Sequence, residues 1–407
     1  MNRDEELGEP AGKGRRDGSV AEVLRVFLKL GSTSFGGPVA HLGYFRTEFV
    51  DRRKWLDEAA YADLVALCQF LPGPASSQVG IAIGLGRAGW PGAVAAWVGF
   101  TLPSAVLLVL FAFGLSGWEP FMESGAIQGL KLAALAIVAH AVWSMAKSLV
   151  QGAARIGIAL VALLLVTMLP GSLGQVGAIV LGGLLGVAMR LSVTTPKSAG
   201  HAGAVGRGAA IAALLVLVVL LLSLPAVAAW LASPTLSAAS AFYRAGALVF
   251  GGGHVVLPLL QASVVPSGWV SNDAFLAGYG AAQAVPGPLF SFAAYLGAAM
   301  AVGPGGWWGA AVMLVAIFLP AFLLVVGTLP FWQAVRAKSA MRRAMAGFNA
   351  AVVGVLAAAL YHPMWTSSIH SGLDIAVALG AFGLAMSGRV SPVLIVLACG
   401  VVGWIFL

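Results

Sequence analysis

The chain has 407 residues, of which 60% are hydrophobic and 9% are charged, and its mean hydropathy is +0.94. A soluble domain has about 25% charged residues, so this composition excludes a soluble domain. It predicts a polytopic helical membrane protein in a lipid bilayer. The net charge of +8 indicates basic loops rather than nucleic-acid binding. Two cysteines, Cys68 and Cys399, lie in apolar runs and predict neither a disulfide framework nor a metal site.

The first part of the chain is polar and then amphipathic. Residues 1–18 mix acidic and basic side chains and predict a disordered cytoplasmic tail without a cleavable signal peptide. A helix is expected over 19–45, interrupted by Phe35-Gly36-Gly37-Pro38, because glycine and proline break helices. A charged stretch over 46–58 follows.

The next break is Pro72-Gly73-Pro74, with helices predicted over 59–71 and 75–87 on either side. Each limb has 12 or 13 residues, whereas a membrane span needs about 20. The segment 59–87 is therefore either one broken span or a re-entrant hairpin with the prolines at its tip.

Longer apolar runs predict full spans along the rest of the chain. A basic linker over 191–207 separates the first half from a connecting span over 208–232. The full spans read directly from apolar runs are about 90–114, 124–146, 153–169, 174–189, 208–232, 370–387 and 391–406.

The second half repeats the first. Gln69-x-x-Pro72-Gly73-Pro74 recurs as Gln283-x-x-Pro286-Gly287-Pro288, 214 residues later. Further echoes keep an offset of 214 to 218, which predicts an internal duplication with repeats over 19–190 and 238–407. These echoes are Lys29 with Arg244, Phe35-Gly36-Gly37 with Phe250-Gly251-Gly252, Trp55 with Trp269, Leu102-Pro103 with Leu319-Pro320, and Lys131 with Asn349.

The distribution of Lys and Arg predicts that the repeats have inverted topology. Basic loops place the N-terminus in the cytoplasm, and the single span over 208–232 starts the second repeat on the outside. The loop with Arg52, Arg53 and Lys54 then stays inside if the broken segments are re-entrant. We expect four re-entrant or half-spanning elements and about nine full spans in the cytoplasmic (inner) membrane.

The motifs at 35–38, 52–56 and 69–74, with the second Pro-Gly-Pro copy, resemble the chromate ion transporter family in its long, two-domain form. The resemblance covers about residues 20–365. It implies a carrier that exports chromate and confers chromate resistance, with sulfate as a competing anion. One departure is that Phe250-Gly251-Gly252 is followed by Gly253 where the first repeat has Pro38.

Broken helices offer anion-binding groups, because the first N–H groups of a helix are free and carry partial positive charge. Two such breaks in matching places indicate the binding site of a transporter. The predicted anion-binding residues at the two tips are Gly73, Ala75, Ser76, Ser77, Gly287, Leu289, Phe290 and Ser291.

Amides and cations extend this candidate site. Gln69 and Gln283 lie one turn before the tips, where each either binds the anion or caps the broken backbone. Lys131 either contacts the anion or forms a structural pair, and its twin Asn349 is also polar. Lys29 and Arg244 either contact the anion or extend to the membrane interface.

Coupling to protons needs a group that titrates. Asp63, Glu48, His41 and His140 are candidates, and His254 follows the second glycine cluster. The alternative for Asp63 and Glu48 is pairing with Arg46, Arg52 or Arg53, and for His140 a hydrogen bond within the bundle.

Other functions are less well supported by the sequence. It has no phosphate-binding loop and no metalloprotease motif, so we expect neither enzymatic activity, nor a cofactor, nor a metal. A sulfate carrier, a passive channel and an intramembrane enzyme stay as alternatives. A homodimer is expected only because such carriers are commonly symmetric oligomers.

Overall fold

The structure is a computed structural model that describes residues 18–117, 125–169, 171–193, 205–250 and 255–407. Within these ranges every regular element is helical, as the composition predicts. Gly251, Gly252, His254, nearly all of the 1–18 tail and most of the 191–207 linker lie outside the described residues.

The helices of the first half follow the predicted breaks. A π-helical turn over Thr47–Arg52 continues α2 into the charged stretch. The bounds are α1 Val20–Thr33, α2 Gly37–Arg46, α3 Glu58–Phe70, α4 Ala75–Gly117, α5 Gly125–Leu149, α6 Ala153–Met168 and α7 Ser172–Ala188.

The second half starts with the connecting helix, α8. Its bounds are α8 Arg207–Trp230, α9 Pro234–Leu248, α10 Val256–Val264, α11 Asn272–Ala284, α12 Phe292–Ala298, α13 Gly306–Thr328, α14 Trp332–Ala337, α15 Ser339–Ala359, α16 Gly372–Ser387 and α17 Pro392–Phe406.

Among the described helices, five are long and apolar enough to cross a membrane, and five more are apolar but shorter. The five long segments are 75–114, 125–149, 207–230, 306–335 and 339–368. This supports a polytopic membrane protein, while the predicted number of nine full spans stays a prediction.

The predicted limb 75–87 and the predicted span 90–114 are two helical limbs within α4, separated by a break. Ala88 and Gly89 leave helical geometry inside α4, and Gly89 has a φ of +67°. Pro91 follows and lacks the N–H that a straight helix would use. A Cβ on Gly92 would overlap the Gly84 carbonyl oxygen, so the chain reverses at this break and the two limbs pack on each other.

Each half contains the same packing of its first helix on a long helix. In the first half α1 packs on α4, and in the second α9 packs on α13. A Cβ on Gly31 would lie 2.6 Å from the Phe100 carbonyl oxygen, and one on its twin Gly246 would overlap the Ile317 carbonyl. Glycine is therefore needed at both crossings, because only its backbone allows so close an approach.

Candidate functional site

The first tip lies against the end of α9. Gly73 has a φ of +114°, which favours glycine, and its N–H donates to the Val249 carbonyl at 2.6 Å. The side chain of Gln78, on the first turn of α4, donates to the Pro72 carbonyl at 2.7 Å. The broken backbone of this tip is thus satisfied from both sides.

The second tip lies against the end of α1. Gly287 has a φ of +100°, and its N–H donates to the Ser34 carbonyl at 2.9 Å. A single 3₁₀ turn over Leu289–Ser291 precedes α12. The Ser291 hydroxyl donates to the Pro288 carbonyl at 2.6 Å, so it caps its own backbone.

These two hydrogen bonds are crossed between the repeats. Ser34 directly follows α1, and Val249 directly follows α9, so the two acceptors are twins at an offset of 215 residues. Each Pro-Gly-Pro tip is therefore bound to the first helix break of the other repeat. The crossing brings both tips to one region of the molecule.

His41 joins the two tips. Its ring nitrogen Nδ1 lies 3.4 Å from the Ser76 hydroxyl, in the first turn of α4. The ring is also close to the Ser34 backbone and packs edge-on against Phe100, with 5.3 Å between centroids. Because Ser34 holds the second tip, the imidazole lies between the start of α4 and that tip.

Several polar atoms in this region are buried and have no hydrogen-bond partner among the described residues. Buried polar atoms are normally paired, so such a concentration indicates a site for a polar ligand or water. We define the tip cluster as Ser34, His41, Ser76, Ser77 and Gln78. Its unpaired atoms are Ser34 Oγ, His41 Nε2, Ser77 Oγ and Gln78 Oε1.

The predicted glutamines have different surroundings from those expected. Gln69 is exposed and makes no hydrogen bond within the described part of the chain, so the capping alternative is wrong for it. Gln283 bonds to the Tyr279 hydroxyl, and its Nε2 is buried and unpaired. The residue that caps the first tip is Gln78, which the motif comparison misses because its twin is Phe292.

The predicted cations lie away from the tip cluster. Lys131 is buried and forms an ion pair with Asp273, with 3.0 Å between Nζ and Oδ1, which is the structural alternative. Lys29 is exposed on α1. Arg244 lines a separate pocket, and within the described part of the chain no Lys or Arg makes a polar contact with the tip cluster.

The titratable candidates are also separated. Glu48 accepts hydrogen bonds from Arg52 and Arg53, at 2.7 and 2.6 Å, as the pairing alternative predicts. Asp63 is buried and accepts from the indole N–H of Trp332 at 3.1 Å.

The remaining predicted site residues lie in both halves. His140 is half-buried on α5, and among the described candidates His41 is the one that contacts the tips. Phe290 is fully buried, whereas Leu289 is half-buried. Asn349 is half-buried on α15 with its Oδ1 unpaired among the described residues.

A family model described as "Chromate transporter" matches two segments of the chain, residues 21–187 and 236–404. The chain is 29% identical to a chromate transport protein of Pseudomonas aeruginosa, over 95% of this chain and 92% of that protein. It is 27% identical to a probable chromate transport protein of Synechococcus elongatus, over 95% and 96%. A chromate transport protein of Cupriavidus metallidurans is 29% identical, over 84% and 82%. No solved structure matches the chain.

Proposed function

This chain belongs to the chromate transporter family, and we propose that it is a secondary transporter that exports chromate, which binds between the two Pro-Gly-Pro tips. The observation that carries the proposal is the crossed pair of hydrogen bonds, Gly73 to Val249 and Gly287 to Ser34. This crossing sets the first turn of α4 beside the second tip. A tetrahedral dianion there would meet donors of the first repeat beside the tip of the second.

The donors at the tips are neutral. Gln78 N–H already donates to the Pro74 carbonyl, so the free helix-start amides are those of Ala75, Ser76 and Ser77. The Ser77 hydroxyl adds a donor without a partner in the described chain. A helix start contributes about 0.3–1 kcal/mol to anion binding, and up to about 2 kcal/mol when partly buried. Neutral donors thus give weak, reversible binding, which suits a carrier.

The crossed contacts also suggest how access alternates. Each repeat holds the tip of the other through a single backbone hydrogen bond. A net hydrogen bond is worth about 0.5–1.5 kcal/mol, so exchanging these two bonds adds little to the cost of rocking one repeat against the other. With inverted repeats, the rocking opens the tips first to the cytoplasm and then to the outside.

His41 is the group that we propose for coupling to protons. It is 1% exposed and contacts both the Ser76 hydroxyl and the Ser34 backbone. Burial disfavours the charged imidazole while the tips are empty, but a dianion beside it would favour protonation. The protonated ring would then add the positive charge that Lys29, Lys131 and Arg244 do not provide there. Proton release on the other side would then free the anion.

The test is uptake of labelled chromate by purified protein in liposomes, with and without a pH gradient and with sulfate as competitor. Ser77→Ala removes a hydroxyl donor to the anion; a hydrogen bond to a charged group is worth about 1.5–3 kcal/mol, so we expect chromate affinity to fall about ten- to hundredfold. The matched control is Ser148→Ala, an exposed serine at the end of α5 whose hydroxyl bonds only its own helix.

Three results would contradict the proposal. Absence of chromate flux would overturn the substrate, and sulfate flux alone would make the protein a sulfate carrier. Equal chromate affinity in Ser77→Ala and Ser148→Ala would place the binding site elsewhere. For the coupling step, His41→Gln should keep downhill chromate flux but lose its dependence on the pH gradient.

A further inference from the structure

A cavity of about 290 Å³ surrounds the Arg244 side chain, between α8, α9 and α10. Its polar lining consists of Ser237, Ser240 and Ser263, and Trp269 closes one wall. We name it the Arg244 pocket. One water occupies about 30 Å³ of liquid, so the pocket has room for a four-oxygen anion with several waters.

Arg244 has no carboxylate partner within the described ranges. Its Nε contacts the Ser240 carbonyl at 3.4 Å, and none of the described residues lining the pocket is acidic. The Ser240 side chain is 1% exposed, and its hydroxyl has no partner in the described chain. A guanidinium and an unpaired hydroxyl therefore line the same cavity.

The sequence explains why no acid compensates Arg244. After Glu123 the chain has two acidic residues, Asp273 and Asp374. Asp273 pairs with Lys131, and Asp374 accepts from Gln128 and from the start of its own helix.

The first repeat has a corner equivalent to the α9 and α10 side of this pocket, and backbone hydrogen bonds fix the register. The amides of Trp55 and Leu56 both donate to the Phe49 carbonyl, and those of Trp269 and Val270 both donate to the Val264 carbonyl. Phe49 and Val264 are therefore twins.

Glu48 and Ser263, the residues just before Phe49 and Val264, are therefore also equivalent. Lys29 aligns with Arg244 at the same offset of 215. The same offset aligns Glu22 with Ser237. Each acid of the first corner is thus a serine in the second.

In the twin corner the acids pair with the arginines. Glu48 accepts from Arg52 and Arg53, and Arg53 also reaches Glu22 at 3.4 Å. The charge of Lys29 acts on the same Glu48 carboxylate. In this Glu48 corner, the arginines that could bind an anion are already paired with carboxylates.

We infer that the Arg244 pocket is a second oxyanion-binding site, separate from the tips and without a counterpart in the first repeat. A guanidinium fits two oxygens of a tetrahedral dianion at once, and the Ser240 hydroxyl, which has no partner in the described chain, can donate to a third. The position of the pocket on the export path rests on the proposed function and on the predicted topology, in which the second repeat starts on the outside. An anion leaving the tips would then dissociate by way of Arg244.

The pocket is tested by the rate at which Ser237→Cys reacts with anionic and cationic methanethiosulfonate reagents of matched size. Both native cysteines are buried, so the introduced thiol dominates the signal. The reagents are added outside intact cells. We expect the anionic reagent to react faster than the cationic one. The ratio of the anionic to the cationic rate should fall about tenfold with Arg244→Gln and should be retained with Arg244→Lys. Ser263→Glu, which installs the acid of the twin corner, should lower the ratio as Arg244→Gln does.

Protection by a ligand completes the test. Inorganic sulfate or chromate should slow labelling of Ser237→Cys in the Arg244 protein and not in the Arg244→Gln protein, with gel filtration confirming that each variant is folded. A ratio unchanged by Arg244→Gln, or labelling indifferent to both anions, would overturn the second site. Protection without any chromate flux would keep this site and overturn the carrier instead.

Discussion

The two repeats share their backbone contacts and differ in their charges. Gly73 and Gly287 make crossed hydrogen bonds to Val249 and Ser34, so the tips are alike in geometry. The Glu48 corner and the Arg244 pocket also share a turn, yet one is filled with ion pairs and the other has none among the described residues. The duplication thus retained what holds the tips together, while the surroundings of the twin cations diverged.

That difference indicates how the two faces could handle one anion. A corner whose arginines are paired with carboxylates attracts a dianion less than a guanidinium without an acidic partner in the described pocket lining. If the repeats are inverted, the two corners face opposite sides of the membrane. The difference in charge between the two corners would then make release of the anion easier on one side of the membrane than on the other.

The largest expected effect comes from adding a Cβ to the glycine of one tip, and it should differ between the two tips. In Gly287→Ala the new Cβ would lie 2.9 Å from Ser104 Oγ and 3.1 Å from the Phe100 carbonyl. In Gly73→Ala it would lie 2.9 Å from the side-chain end of Gln78 and at least 3.5 Å from other atoms. Because a side chain yields more readily than backbone, we expect Gly287→Ala to be the more damaging variant.

Both variants also force a non-glycine residue to positive φ, which costs about 1–2 kcal/mol. We expect more than tenfold lower chromate flux in Gly287→Ala and a smaller loss in Gly73→Ala, measured in liposomes alongside the melting temperature. Gly157→Ala, where a Cβ meets open space on α6, is the control. Equal activity of Gly287→Ala and this control would mean that the second tip does not need its crossed contact.

The Glu48 corner is tested by removing its central charge. The Glu48 side chain is 8% exposed and bonded to two arginines, so Glu48→Gln should lower the free energy of unfolding by about 1–3 kcal/mol. Burial raises the pKa of Glu48, but the Arg53 hydrogen bond and the charges of Arg52 and Arg53 outweigh it, and the net pKa is lowered.

The sign of the pH effect follows from that lowered pKa. The stabilisation is complete above the glutamate pKa of the unfolded chain, about 4.3, and is lost as the pH falls through the lower folded value. The melting temperature of the wild type should therefore fall more than that of Glu48→Gln below about pH 4.5. Parallel melting curves across this range would show that the corner does not depend on the charge of Glu48.

The sequence predicts the tips well and their neighbours poorly. Proline and glycine act locally, so the ends of α3 and α11 at Phe70 and Ala284 could be expected from the motifs alone. The crossed partners Ser34 and Val249 depend on how the repeats dock. So does the ion pair of Lys131, whose acid lies 142 residues away. Contacts of this kind carry no local pattern.

The smallest expected effect concerns that ion pair, which also distinguishes the repeats. The positions equivalent to Lys131 and Asp273 in the other repeat are Asn349 and Ala59, so the equivalent pair carries no charge. The Asp273 side chain is 62% exposed, and exposed ion pairs are worth about 0.2–1 kcal/mol. Asp273→Asn should therefore cost under about 1 kcal/mol of unfolding free energy in detergent.

Transport separates the two roles that Lys131 can have. If it serves only as the partner of Asp273, Lys131→Gln and Asp273→Asn should reduce chromate flux equally little. If the Lys131 amine reaches the anion during rocking, Lys131→Gln should reduce flux far more than Asp273→Asn at similar stability. Asp51→Asn, which breaks a more exposed pair with Arg46 at 3.1 Å, is the control. A destabilisation by Asp273→Asn as large as that by Glu48→Gln would contradict the solvent-screened pair, because it would require Lys131 to be held in a dry, charge-dependent site.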